Sequence, residues 1–248
     1  MHDMPWNKVY EAIELYVVRI ATPSGSGTGF LVSRTNGNLI AIATAAHVLN
    51  HAHYWEQPIR IKHFATGKSV LLRQPDRAVF LEEDRDTAAL VFDVGELELP
   101  STPPLLSPEG KYLKVGLELA WVGSPDSPAV ASVNLCFFSG RVSAHRTDKH
   151  TYLVDGVAIN GVSGGPAFWN GGNRLSVIGV VSAYIPNRAS GIVLPGLSII
   201  RDVSQFHDIT KKFESLDKAR SKQSPPQEPP PAESIDSPQK PTSLTAGR

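Results

Sequence analysis

One serine in this chain stands among glycines, in Asn160-Gly161-Val162-Ser163-Gly164-Gly165-Pro166. Glycines free the backbone there and let another chain come close, so the Ser163 hydroxyl is expected on an accessible turn. A serine hydroxyl is a poor nucleophile by itself, and chemistry requires a base and a carboxylate to orient that base. The sequence offers His47, in Thr44-Ala45-Ala46-His47-Val48, and Asp86, in Asp86-Thr87-Ala88-Ala89-Leu90. Asp84 competes for the second role, but Asp86 is the one that opens an apolar run. The three candidates lie far apart in sequence, so only a folded framework can bring them together.

The elements available for that framework are mostly short strands. Leu15 to Ile20, Phe30 to Ser33 and Leu39 to Thr44 read as strands, and Asn36-Gly37 between the last two is a hairpin signal. Trp55 to Phe64 and Ser69 to Leu72 flank Thr66-Gly67, and Ala88 to Phe92 follows Asp86. Pro100 to Gly110 is rich in proline and turn residues and reads as a crossover. A second set follows: Leu117 to Val122, Val133 to Phe138, Tyr152 to Ala158, Ala167 to Trp169, Ser176 to Ala183 and Gly191 to Leu194. Each half thus carries about six strands separated by turn residues, the pattern of barrels or a sandwich. Pro5 to Glu14 has Trp6, Val9 and Ile13 at helical spacing, and Asp202 to Lys222 has Phe206, Ile209, Phe213 and Leu216. From Gln223 to Arg248 prolines mix with polar residues and almost no apolar side chain, so the expectation is a disordered tail. Pro229-Pro230-Pro231 could form polyproline II and dock a protein partner, although a plain solvated tail is the simpler reading.

In the order His, Asp, Ser, the three chemical motifs resemble the trypsin-like, chymotrypsin-fold serine endopeptidases, closest to their disulfide-free bacterial branch. Gly25 to Val32, Trp121 to Pro125, Ser139 to Ser143 and Val177 to Ser182 fit the same framework, and the match runs from about Tyr16 to Ile200. The resemblance implies an all-β fold of two six-stranded antiparallel barrels, over 15–99 and 111–200, within a protease domain of 1–222 that ends in a closing helix over 202–222. It implies that His47 takes the Ser163 proton and returns it to the leaving group, while Asp86 holds the other ring nitrogen. It also implies an oxyanion hole from the N–H groups of Gly161 and Ser163, and catalysis without metal or organic cofactor. Relatives activated by cleavage carry an acidic residue just before the serine. Here that residue is Val162, so activation by such an ion pair is not expected.

By the same resemblance the first specificity pocket is walled by Val157 to Asn160, Ser182 to Tyr184 and Gly191 to Val193. The residues expected to meet substrate are Val157, Ala158, Asn160, Ser182, Ala183 and Tyr184. Val157 takes the place where trypsin carries its basic-selective aspartate, which points to an uncharged pocket for small or medium apolar side chains. Asp155 lies two residues earlier, and strand alternation alone does not decide where it points.

Composition narrows the functional classes further. With 24 Lys and Arg against 24 Asp and Glu, the chain has no general attraction for nucleic acid or anionic membranes. Its longest apolar run, Leu39 to Ala46, is too short to span a bilayer. The single cysteine, Cys136, excludes an intrachain disulfide, and Met1 to Trp6 lacks the look of a secretion signal. Together these favour a cytoplasmic location. His47, His51 and His53 admit a metal reading, but Val48 stands where a metal-dependent hydrolase helix would carry glutamate, and His51 and His53 read as loop surface residues. Three functions remain: an endopeptidase acting on polypeptides, a protease-like module that binds peptides or partners with a latent triad, and, more weakly, an esterase.

Overall fold

The computed structural model describes residues 4–126, 135–171, 174–189 and 192–223. Two β units follow a short helix, α1 (Trp6–Glu14). The front unit contains β1 (Val17–Thr22), β2 (Gly25–Arg34), β3 (Leu39–Thr44), β4 (Ile59–His63), β5 (Ser69–Leu72), β6 (Arg77–Glu82) and β7 (Thr87–Asp93). A helix, α2 (Ala46–Tyr54), is inserted after β3. The rear unit contains β8 (Glu118–Gly123), β9 (Cys136–Arg146), β10 (Thr151–Asp155), β11 (Pro166–Gly171), β12 (Arg174–Ala189) and β13 (Ile192–Asp202), followed by α3 (Phe206–Gln223). These strands pair antiparallel among the described residues, and an isolated parallel bridge joins Leu106 to Val177.

The double-barrel architecture expected from the sequence is present, with one refinement. The rear six strands close into a barrel in the order β10-β13-β12-β11-β8-β9, whereas the front sheet is a curled half-barrel of seven, β5-β4-β1-β2-β3-β7-β6. Its additional strand is β6, a segment without a fully buried residue. The helix over α2 is a second departure from expectation: His51 and His53 stand on it and not on a loop. The Pro-rich tail, from residue 224 onward, lies outside the described residues. No described helix is long and apolar enough to cross a membrane.

Each unit has its own core, built on Ile20, Leu31, Ile42 and Leu90 in front and on Trp121, Tyr152 and Val162 behind. A third cluster forms the seam between them. Phe30 and Val32 face Val177 and Val180 there, and Phe206, Ile209 and Phe213 of α3 pack over them. Leu31 points into the front core while its neighbours point into the seam, so β2 is buried on both faces, which explains its uninterrupted apolar run. Helix α1 seals another part of the seam by setting Val9 and Ile13 against Val17 of the front unit and Val122 and Phe168 of the rear.

Phe206 is fully buried, with its ring edge-on to Phe30 at 6.5 Å. Truncation by Phe206→Ala should therefore cost about 3–5 kcal/mol in a chemical denaturation series. A loss below about 1 kcal/mol, the usual range for surface changes, would mean that α3 does not hold the seam.

Candidate active site

His47 is the second residue of α2, where the backbone N–H groups of a helix have no partner in the helix itself. The preceding residue, Ala45, has no side chain able to cap them. The carboxylate of Asp86 does so from the start of the neighbouring strand β7, accepting the His47 N–H at 3.0 Å. Both of its oxygens also lie 3.0 Å from His47 Nδ1. One group thus caps the helix and fixes the imbalance of charge at its positive end, and it also orients the imidazole that the helix carries.

Asp86 reaches this position through an uncommon backbone. It follows the tight turn Glu83–Arg85 in the left-handed conformation, φ 48°, which aspartate tolerates better than most residues. Among the described residues no hydrogen bond or ion pair joins Asp84, the rival candidate, to His47, whose carboxylate partner is Asp86. Burial pushes the Asp86 carboxyl up, but hydrogen bonds from His47 and from the Ser182 hydroxyl outweigh that and hold it below the ordinary carboxylate value. The ionised group can only accept hydrogen bonds, so Nδ1 must carry the ring proton of neutral His47, and Nε2 is left as its basic atom.

Ser163 lies on the turn between β10 and β11, in a loop held from both sides. Val162 is wholly buried in the rear core against Gly123, where any side chain at 123 would strike it. From the front unit, Thr28 donates its N–H to the Ser163 carbonyl at 2.8 Å and its hydroxyl to the Gly161 carbonyl at 2.8 Å. Gly161 and Gly164 both have left-handed backbones, φ +88° and +87°, and a Cβ on either would collide with backbone oxygen. Among the described residues neither the Gly161 N–H nor the Ser163 N–H has a hydrogen-bond acceptor.

Ser163 and His47 line one cleft of about 250 Å³ with Ala158, Ile159, Asn160, Ser182 and Ala183. The Ser163 hydroxyl donates to the Ser182 carbonyl at 3.3 Å, and no hydrogen bond joins it to His47. Such contacts are often long before substrate binds and tighten in the complex.

Of the residues expected to meet substrate, Ala158, Asn160, Ser182 and Ala183 line the cleft. Val157 does not, and is half-exposed beside it. The backbone of Tyr184 pairs with Ser198 in β12, but its side chain lies outside the described residues, as do Gly191 and the side chains of Ile192 and Val193. Asp155 turns away from the cleft, and its carboxylate accepts the backbone N–H of Arg141.

Ile159, inside the expected wall of 157–160, also lines the cleft, but nothing in the sequence pointed to the Ser182 hydroxyl reaching Asp86 Oδ2, at 2.5 Å. Ser182 falls where the β12–β13 register shifts, between Val181 and Ala183, so strand alternation could not have told its direction. Thr28 carried one faint signal, its place between two glycines.

Several solved structures share this fold. Deg5 aligns with a TM-score of 0.59 at 19% identity, over 82% of this chain and 90% of its own. The inactive form of the Rv3671c protease of M. tuberculosis H37Rv aligns with a TM-score of 0.56 at 19% identity, over 86% of this chain and 98% of its own. The scabies mite inactivated protease paralogue S-I1 aligns with a TM-score of 0.57 at 21% identity, over 81% and 96%. No curated protein matches the chain. A family model described as a trypsin-like peptidase domain matches residues 27–180, more than half of the sequence, and the chain belongs to that family.

Proposed function

We propose that this protein is a serine endopeptidase acting through an acyl-enzyme, with Ser163 as nucleophile, His47 as general base and acid, and Asp86 as the group that orients the imidazole. The observation that carries this reading is the pairing of His47 Nδ1 with Asp86 at 3.0 Å in the same cleft that holds the Ser163 hydroxyl. Substrate would turn that hydroxyl from the Ser182 carbonyl towards His47 Nε2. As Oγ bonds to the peptide carbonyl carbon, its proton passes to Nε2 and negative charge gathers on the former carbonyl oxygen. The open N–H groups of Gly161 and Ser163 would receive that oxygen, a type of contact worth about 3 kcal/mol of catalysis. Nε2 then protonates the leaving amine, the C–N bond breaks, and water removes the acyl group by the same route.

The pocket supports apolar specificity. Ala158, Ile159 and Ala183 supply its apolar wall, Asn160 and Ser182 are uncharged, and Asp155 faces elsewhere. We expect cleavage after small or medium apolar residues. Peptide-library profiling tests this, and dominant cleavage after Lys or Arg would overturn it.

A second reading, a peptide-binding module with a latent triad, is favoured by the hydroxyl's bond to Ser182. Two of the structural relatives are described as an inactive form and an inactivated paralogue. A fluorophosphonate probe separates the readings. Labelling of Ser163 that disappears in Ser163→Ala supports the enzyme, whereas folded but unlabelled protein supports the module.

The lowered pKa of Asp86 sets the pH dependence. Because this carboxylate stays ionised well below neutrality, its own protonation should not contribute to the acid limb of kcat/KM. Asp86→Asn should cut kcat by about four orders of magnitude by favouring the wrong tautomer. For stability, a depressed folded pKa makes a contribution that is complete above the unfolded value and lost as pH falls through the folded one. The stability advantage of the parent over Asp86→Asn should therefore persist at pH 5 and vanish only below the ordinary aspartate value of 3.8, as read by denaturation at a series of pH values.

A further inference from the structure

The residue before Ser163 is a buried valine, which offers no polar group to the peptide between Asn160 and Gly161. The Asn160 carbonyl accepts the backbone N–H of Asp126 at 2.8 Å. A trans peptide carries its C=O and N–H on opposite sides, and no peptide bond among the described residues is cis. Tying that carbonyl to Asp126 therefore turns the Gly161 N–H the other way.

Asp126 is itself held from the front unit. Its Oδ2 accepts the Ser26 hydroxyl at 3.1 Å, Ser26 Oγ accepts from Arg19 at 3.2 Å, and the Arg19 guanidinium lies 3.7 Å from Asp126 Oδ1. Ser26 and Thr28 are two residues apart on β2 and so share one face of the strand. Thr28 accepts the Ser124 N–H at 2.9 Å and donates to Gly161 at 2.8 Å. One face of β2 thus holds both the segment that ends β8 and the loop bearing Ser163.

We propose that Arg19, Ser26 and Asp126 form an electrostatic latch across the barrel seam that sets the Asn160–Gly161 peptide, and that Asp126 is a positioning residue for the oxyanion site. The catalytic consequence rests on the serine endopeptidase reading, but the latch itself does not. Arg19 and Asp126 keep 39% and 52% of their side-chain exposure, and pairs so open to water add little to global stability and weaken with salt. The latch therefore acts on local geometry and not on the melting temperature.

The test compares the parent protein with Asp126→Ala, Arg19→Ala and the charge-swapped pair Arg19→Asp with Asp126→Arg, using amide hydrogen exchange at Val162, Gly164 and Gly165. Both single variants should exchange there about fivefold faster at unchanged melting temperature, the swap should restore protection, and high salt should mimic the single variants. Unchanged exchange overturns the latch, as does faster exchange throughout the rear barrel together with a lower melting temperature. Fluorophosphonate labelling runs alongside. Slower labelling of Ser163 in the single variants, rescued by the swap, supports the positioning role. If the parent is unlabelled while exchange still responds, the latch stands and the endopeptidase reading falls.

Discussion

The backbone hydrogen bond from the Thr28 N–H to the Ser163 carbonyl, at 2.8 Å, requires the two units to come together main chain to main chain. Backbone can approach backbone in this way only where side chains are missing. A Cβ on Gly27 would run into Val48 and the Ser163 carbonyl, and one on Gly164 would strike the Thr28 carbonyl and the Thr44 hydroxyl. The apolar seam beside this contact, with Phe30 facing Val177 and Val180, supplies the burial that holds the units at that separation. His47 and Ser163 come from different units, so their shared cleft depends on this contact more than on either residue's own turn.

The Asp86 carboxylate shows how economical the front unit is. Charge at a helix N-terminus, a cap for α2 and the orientation of an imidazole all come from one side chain, and Ser182 from the rear unit adds a further donor to it. These demands keep the group ionised despite partial burial, because each donor favours the charged form.

Local patterns were readable where the physics is local. The Asn36-Gly37 hairpin, the apolar spacing of α1 and α3, and the chemical motifs could be read from adjacent residues. Helix α2 was not legible because its cap is Asp86, remote in the chain, and a helix that begins without a local cap gives no start signal. Strand β6 escaped notice for another reason. Its run Ala78 to Leu81 does not alternate in hydropathy, because Phe80 faces outward beside α3, with the Lys212 ammonium over its ring, instead of into a core. In the cleft, Ala158, Asn160, Ser182 and Ala183 follow from the family resemblance, whereas the contact of the Ser182 hydroxyl with Asp86 does not, because Ser182 sits where the strand register shifts. The polar face of β2 could not be read either, since the partners of Ser26 and Thr28 lie about a hundred positions away.

Helix α3 leaves the end of the rear barrel and returns to the front one. Besides burying Phe206 against Phe30, it places the Asp217 carboxylate 3.0 Å from the backbone N–H of Asn36, at the hairpin between β2 and β3. Helix α1 is likewise stitched to both units. Helices tied to both units in this manner oppose a clamshell swing of the two halves. Whatever accommodation the cleft makes for a guest must come from the loops at its rim.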